Sequence, residues 1–132
     1  DLMRKILRGK LYGEPVSLWG DGHQKRELVY LDDFVTTAIH LANSRDNDLI
    51  NIGAGEEHSI REFAKEICAI VGYDPTKLNY DTTKYVGAKS KVLSVQKLDE
   101  IWPIRPRTTL GEGLKFTLNW FMQHKDVLLP KD

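Results

Sequence analysis

Residues 49–72, LINIGAGEEHSIREFAKEICAIVG, follow a strand–turn–helix pattern. Leu49–Ile52 is a short apolar run typical of a buried strand, and Gly53-Ala54-Gly55 ends it. Ser59 and Glu62 have the spacing of a capping box, in which each residue satisfies a free N–H group of the other. The apolar residues after Ser59 recur every three or four positions, which predicts a helix that buries one face and ends at Gly72.

The residues before this stretch predict two strands and two helices. A helix begins near Leu2 and is expected to stop at Gly9, and a strand follows at 15–19. The glycines of the turn at 20–22 separate it from a second strand candidate at 25–31, and the Asp32-Asp33 pair then opens a helix to about Asn43.

The residues after Gly72 alternate in the same way. We expect a short strand at 78–80, a polar loop at 81–91, a strand-like run at 92–95 and a short helix at 96–102. A second capping box, Thr109 with Glu112, starts the last helix. Alternating strands and helices predict an α/β fold with helices on a small mixed sheet of three to five short strands.

Size and charge exclude several classes of protein. The 132 residues fit one domain, 1–132. Lys plus Arg number 19 and Asp plus Glu number 19, so the chain lacks the excess positive charge of a general nucleic-acid or membrane-surface binder. The single cysteine, Cys68, excludes an internal disulfide and lies on a helix face where an inert buried thiol is expected. No apolar run approaches the roughly 20 residues of a membrane span, and we expect a cytoplasmic protein.

Two stretches imitate catalytic or cofactor-binding motifs. Gly53-Ala54-Gly55 follows a strand as a dinucleotide-binding turn would, but His58 stands where a small residue is needed, and two glutamates precede it. Tyr85 and Lys89 have the spacing of a catalytic tyrosine–lysine pair, but Gly87 and the polar surroundings predict a loop. The four histidines are too scattered for a metal site. We therefore predict no catalytic, cofactor-binding or metal-binding residue in this chain.

Positive side chains and one aromatic residue predict a binding surface. Arg26 begins the second strand candidate, Trp19 precedes the glycine turn, and the polar loop carries Lys84, Lys89 and Lys91. A guanidinium, ammonium groups and a flat apolar wall suit a nucleoside diphosphate. Loop lysines are also commonly only solvated, and Trp19 is equally compatible with a core position.

Several motifs, in order, resemble a known family. They are Trp19-Gly20-Asp21-Gly22, the run from Arg26 to Asp33, Ile50–Gly55, the helix from Ser59 and Val71-Gly72-Tyr73. Together they resemble the C-terminal, nucleotide-sugar-binding part of the extended short-chain dehydrogenases, the NAD-dependent epimerase/dehydratase family, and within it the GDP-L-fucose synthases. The resemblance implies the substrate domain of a Rossmann-type enzyme whose cofactor-binding half is not part of these 132 residues.

The resemblance also assigns substrate-binding residues. Arg26 matches the arginine that binds the diphosphate, and Lys91 matches a lysine of the loop that closes over the nucleotide. Leu18 and Trp19 match the apolar pair beside the base and ribose, and Met3 lies, after Leu2, on a helix whose apolar side touches the nucleotide. Tyr85-Val86, Ser90 and Ser94 depart from the family pattern, which leaves the sugar open.

The activity implied for the whole enzyme is the NADP(H)-dependent conversion of GDP-4-keto-6-deoxymannose to GDP-L-fucose. NADP(H) is expected to bind the other half of the enzyme and not these 132 residues, which alone are expected to be catalytically silent. Two alternatives stay open: another nucleotide-sugar epimerase or dehydratase, and a stand-alone nucleotide-binding or interaction module. A nucleotide-diphosphate sugar is the expected partner, and exposed apolar helix faces are expected to favour a homo-oligomer or a domain swap.

Overall fold

The computed structural model describes residues 1–130. Its elements in chain order are α1 (Leu2–Tyr12), β1 (Val16–Trp19), β2 (Lys25–Arg26), α2 (Leu31–Ser44), β3 (His58–Ser59), α3 (Ile60–Val71), a 3-10 turn (Pro75–Lys77), β4 (Leu78–Asp81), α4 (Gln96–Ile101), α5 (Leu110–Gln123) and α6 (Lys125–Leu128). The α/β class is confirmed, with the strands divided between two small sheets.

Each sheet has two strands. β1 pairs in parallel with β4, with Val16 opposite Leu78 and Trp19 opposite Asp81. β2 pairs antiparallel with β3, with Arg26 opposite His58. The parallel pair lies against α1 and α3, and the antiparallel pair joins the glycine turn at 20–22 to the start of α3.

The main core lies between the parallel pair and helices α1, α3 and α5. Its buried members from these elements are apolar side chains, and Leu129, which follows α6, joins them: Ile6, Leu7, Val16, Leu18, Ala64, Ile67, Cys68, Leu114, Leu118 and Leu129. A second, smaller cluster joins α2 to α4 through Leu41, Val95 and Leu98. The Tyr12 hydroxyl donates to the Leu129 carbonyl at 2.7 Å, so the end of the described chain is held against α1.

Both predicted capping boxes are present. Ser59 Oγ accepts from the Glu62 N–H at 3.2 Å, while Glu62 Oε2 accepts from the Ser59 N–H at 2.6 Å. At the start of α5, Thr109 Oγ1 accepts from the Glu112 N–H at 3.4 Å, and Glu112 Oε2 accepts from the Thr109 N–H at 3.1 Å. Because these bonds favour the charged carboxylate, they hold the pKa of Glu62 and of Glu112 below the ordinary value.

The prediction that α1 stops at Gly9 is wrong. The helix continues to Tyr12 and ends at Gly13, whose φ of 71° is the left-handed conformation that favours glycine. Gly9 is required for another reason: a Cβ atom there would lie 2.3 Å from Val16 Cγ2 and 3.2 Å from the Glu14 carbonyl oxygen. The glycine therefore lets α1 approach β1 closely.

Three predicted strands are shortened or missing. The second strand covers only Lys25–Arg26 and not 25–31, and neither 49–52 nor 92–95 is a strand. An apolar alternation becomes a strand only where another backbone lies beside it. Within the described part of the chain no strand pairs with 28–31 or 49–52, and Leu49 is 89% exposed.

Among residues 1–130, no helix is both long enough and apolar enough to cross a bilayer.

Gly9→Ala is expected to lower the free energy of unfolding by about 1–3 kcal/mol, because the added methyl group collides with Val16 and the backbone. Gly113→Ala on α5 is the matched control. Its Cβ would meet its nearest neighbours, atoms of Tyr30, at an ordinary 3.6 Å, so improved helix propensity should raise stability by as much as about 1 kcal/mol. Urea unfolding followed by circular dichroism measures both, and equal effects would contradict the close-packing role.

Acid is expected to destabilise the fold through the two capping boxes. The pKa values of Glu62 and Glu112 in the folded state lie below the ordinary glutamate value of about 4.5. Their contribution to stability is therefore present above that pH and is lost as pH falls through the folded-state pKa. Urea unfolding from pH 7 to pH 3 should show this loss. The double variant Glu62→Gln/Glu112→Gln should be less stable at pH 7 and lose less on acidification; an unchanged pH dependence would be inconsistent with this role.

Candidate functional site

The predicted binding surface begins where the parallel pair ends. Trp19 is the last residue of β1, and the Gly20 N–H donates to the Asp81 carbonyl at 2.8 Å, extending the contact with β4 by one residue. Gly20 has a φ of 78°, and a Cβ atom on it would lie 2.3 Å from Val86 Cγ1. The polar loop after β4 therefore folds back directly onto the glycine turn.

Asp81 fixes the start of this loop. Its Oδ1 accepts from the Thr83 N–H at 3.0 Å and from the Thr83 hydroxyl at 2.5 Å. These bonds hold the pKa of Asp81 below its usual value, with the hydroxyl contributing most. The carboxylate therefore sets the direction in which the chain leaves β4.

Arg26 holds the middle of the loop. Its Nη1 donates to the Ala88 carbonyl at 2.9 Å and to the Lys25 carbonyl at 2.6 Å, and its Nη2 donates to the Val86 carbonyl at 3.2 Å. Three of the five N–H donors of a guanidinium are thus used. Between Asp1 and Pro130 no hydrogen bond engages the Nε–H or the second hydrogen of Nη2.

The end of the loop runs beside β2. The Lys25 N–H donates to the Lys89 carbonyl at 2.7 Å, and the Glu27 N–H donates to the Lys91 carbonyl at 3.3 Å. The backbone of Lys91 therefore lies beside that of Glu27, the residue that follows Arg26. The side chains of Lys89 and Lys91 are exposed, and within residues 1–130 neither forms an ion pair.

Glu27 joins three segments at this site. Its Oε1 accepts from the Gly55 N–H at 2.6 Å, and its Oε2 accepts from the Leu93 N–H at 2.9 Å. A Cβ atom on Gly53 would lie 2.5 Å from Glu27 Oε1, so the carboxylate is packed against the 53–55 turn. Sequence reasoning missed this role, since a glutamate beside an arginine on a strand gives no signal of distant backbone partners.

Arg61 contacts the glycine turn at 20–22 and the ring of Tyr80. Its guanidinium carbon lies 4.0 Å from the centroid of the Tyr80 ring, and its Nε donates to the Asp21 carbonyl at 2.6 Å. A Cβ atom on Gly22 would come within 2.6 Å of the Tyr80 ring, so the turn lies flat on this cation–π pair. This contact was not foreseen from the sequence either.

The remaining predicted site residues are dispersed. Leu18 is 3% exposed and belongs to the core, whereas Trp19 is 57% exposed, with Lys5 Nζ 5.8 Å from its ring centroid. Met3 lines an apolar cleft of about 600 Å³ between α1, residues 28–32 and α5. That cleft is lined by neither Trp19, Arg26 nor Lys91, so the structure brings the polar residues together and leaves Met3 apart.

The 53–55 turn and the Tyr85–Lys89 pair do not have the geometry of the cofactor-binding and catalytic motifs that they resemble in sequence. The Gly55 N–H that would face a dinucleotide pyrophosphate is already bonded to Glu27, and Glu56 and Glu57 follow it. Tyr85 is 88% exposed in a loop, so helical pairing with Lys89 is not formed. Among the described residues, no group of three or more His, Cys, Asp or Glu side chains is placed to hold a metal ion.

Comparison with known proteins connects this chain to one family. Residues 1–53 match the NAD dependent epimerase/dehydratase family. GDP-L-fucose synthase 1 of Arabidopsis thaliana is 33% identical over 126 residues, covering 93% of this chain and 38% of the plant enzyme. The chain thus spans well under half the length of this curated relative.

Solved structures share the fold. A GDP-L-fucose synthetase from Naegleria fowleri bound to NADP matches with a TM-score of 0.88 at 23% identity, over 96% of this chain and 40% of that one. The UDP-glucose 4-epimerase of Thermotoga maritima, solved with UDP-glucose, matches with a TM-score of 0.77 at 32% identity, over 92% of this chain and 38% of that one.

Glu27→Gln is expected to loosen the site. An amide offers one acceptor oxygen in place of two, so either Gly55 or Leu93 loses its partner, at about 1 kcal/mol. Hydrogen exchange at these two amides should quicken. Glu100→Gln, which keeps an oxygen for Gln96, is the control and should change neither amide. Unchanged exchange in Glu27→Gln would refute the bridging role.

Proposed function

Because the chain belongs to the NAD dependent epimerase/dehydratase family, we propose that it is the nucleotide-sugar-binding domain of an NADP(H)-dependent epimerase/reductase acting on a GDP-sugar. The whole protein would convert GDP-4-keto-6-deoxymannose to GDP-L-fucose. The GDP-L-fucose synthase of Arabidopsis supports this choice of substrate.

The unused donors of Arg26 carry the proposal. Its Nε–H and its second Nη2 hydrogen are available to donate to phosphate oxygens, while the loop carbonyls orient the guanidinium plane. Lys91 follows on the neighbouring backbone, where its flexible ammonium can reach the same diphosphate. No negative side chain accepts from Arg26 within the described residues, which leaves its charge for a ligand.

The apolar side of the nucleotide is assigned to Trp19. Its indole is 57% exposed at the end of β1, so a ribose or base could cover it. Leu18 would hold β1 in place from within the core and would not contact the nucleotide, because it is 3% exposed. Met3 would contribute only if the ligand extends across α1 into the neighbouring cleft.

The cofactor is assigned to the rest of the protein. The 53–55 turn does not fit a dinucleotide pyrophosphate, because its Gly55 N–H is bonded to Glu27 and two glutamates follow. We propose no cofactor contact and no chemical step for the residues of this chain. Their role is to bind and orient the nucleotide of the substrate.

The relatives differ in the base of the nucleotide sugar that they are named for or were solved with. The Thermotoga maritima epimerase, solved with UDP-glucose, is 32% identical to this chain, close to the 33% of the Arabidopsis GDP-L-fucose synthase. A uridine diphosphate sugar is therefore one alternative to a GDP-sugar. A thymidine diphosphate sugar is another, because a dTDP-4-dehydro-6-deoxy-D-allose reductase of Streptomyces bikiniensis is 31% identical to this chain. The diphosphate contact of Arg26 is common to all three.

Calorimetric titration of the chain with GDP, UDP and dTDP tests this proposal. We expect binding of GDP in preference to the pyrimidine nucleotides, and Arg26→Ala should weaken it by at least about tenfold, or 1.4 kcal/mol. Arg26→Lys should fall between the two, because an ammonium keeps the charge but loses the planar fork.

Arg45→Ala is the matched control, since it removes the same charge at the end of α2, away from the loop. It should leave the affinity within about twofold. Absence of heat with all three nucleotides at millimolar concentration, or equal affinities of wild type and Arg26→Ala, would rule out the proposed site.

A further inference from the structure

Tyr85 is an exposed aromatic residue in the polar loop, at the edge of the proposed nucleotide site. Its side chain is 88% exposed, and among residues 1–130 its ring packs against no other aromatic ring. Single exposed apolar side chains are normal on a protein surface, so the position of this ring in the loop is what points to a function.

The backbone on both sides of Tyr85 is fixed by hydrogen bonds. On one side Asp81 Oδ1 accepts from the Thr83 N–H at 3.0 Å, and on the other the Val86 carbonyl accepts from Arg26 Nη2 at 3.2 Å. The Tyr85 side chain therefore projects into solvent from an ordered stretch of chain. A ligand that contacts such a residue loses little affinity to the cost of ordering the backbone.

The loop also brings Tyr85 close to Trp19. Val86 Cγ1 lies so near to Gly20 that a Cβ atom on this glycine would collide with it. Trp19 directly precedes Gly20 and is 57% exposed, and Tyr85 directly precedes Val86. Two exposed aromatic side chains thus flank one backbone contact. Within the described residues the two rings do not stack on each other, so a flat group can enter between them.

The neighbouring guanidinium indicates what this flat group is. Arg26, which we propose for the diphosphate, bonds to the carbonyl of Val86 and so lies one residue along the loop from Tyr85. The flat part of a nucleoside diphosphate is its base, which the ribose joins to the diphosphate. Bases stack on aromatic side chains through their π faces, and the fused rings of a purine offer more stacking area than the single ring of a pyrimidine.

We propose that Tyr85 and Trp19 hold the base of the nucleotide sugar between their rings, and that this stacking selects a purine over a pyrimidine. The inference rests on the proposed function and deepens it, because it concerns the same nucleotide. Tyr85 stands at a position where the sequence departs from the pattern of the family that it resembles. The stacking contact is therefore assigned to this chain and not to the family.

Calorimetric titration of the full chain with GDP and with UDP tests the role of the ring. Tyr85→Ala should weaken GDP binding by at least about fivefold, and UDP binding by a smaller factor. Tyr85→Phe keeps the ring and should retain the GDP affinity within about twofold. Val127→Ala is the control, since it shortens an 81% exposed apolar side chain on α6, and it should change neither affinity.

Inorganic pyrophosphate separates base stacking from a general effect on the loop. It keeps the phosphate contact of Arg26 but has no base. Tyr85→Ala should leave the affinity for pyrophosphate within about twofold, whereas Arg26→Ala should weaken the binding of GDP and of pyrophosphate. If Tyr85→Ala weakened both ligands equally, Tyr85 would only order the loop and the stacking proposal would be wrong.

Chemical modification gives a second measurement, which needs no variant. Tetranitromethane nitrates accessible tyrosine rings, and Tyr85 should react because it is 88% exposed. Saturating GDP should slow the nitration of Tyr85, followed by mass spectrometry of its peptide, and saturating pyrophosphate should not. Equal rates of nitration with and without GDP would overturn the proposal.

The outcomes distinguish this inference from the proposed function. If Arg26→Ala weakens GDP binding and Tyr85→Ala does not, the stacking contact is refuted and the diphosphate site stands. Equal losses of GDP and UDP affinity in Tyr85→Ala would refute the selection of a purine. Absence of GDP binding by the unmodified chain would refute the proposed function and this inference together.

Discussion

The site depends on the backbone of Lys25–Glu27 being hydrogen-bonded along both edges. One edge pairs with His58–Ser59, and the other accepts the end of the polar loop at Lys89 and Lys91. A two-residue strand contributes little stability alone, so the side chains complete the arrangement. Arg26 donates to carbonyls within the loop, and Glu27 accepts from the Leu93 amide just after it. The positive loop is therefore ordered by main-chain contacts, and its lysines remain free of internal ion pairs among the described residues.

The features predicted best from the sequence are those that depend only on residues close together in the chain. The capping boxes at Ser59 and Thr109, and the helices that follow them, could be read directly because each rests on residues three or four positions apart. The end of α1 was misjudged because a glycine stops a helix in one context and permits close packing in another. Only the position of Val16, seven residues further along the chain, distinguishes the two.

What could not be predicted rests on distant partners. Leu49–Ile52 and 28–31 have strand sequences, but strand formation requires a second backbone that the local pattern cannot reveal. The same holds for Glu27, whose two amide partners lie 28 and 66 residues away. The backbone of Lys91 lies beside that of Glu27, the residue after Arg26, and a shared ligand for the two side chains stays a prediction. Leu18 lies in the core, and Met3 lines another cleft.

The contacts of Arg26 with the loop carbonyls have an energetic consequence. The guanidinium that we propose as the diphosphate ligand is also the group that orders Val86 and Ala88, so ligand binding and loop order would be linked equilibria. Any anion that prefers the ordered arrangement will tighten the loop by the same factor by which the ordered loop raises the anion's affinity. Substitutions within the loop that do not touch the ligand can then change its affinity, because they change the fraction of molecules in which the loop is already ordered.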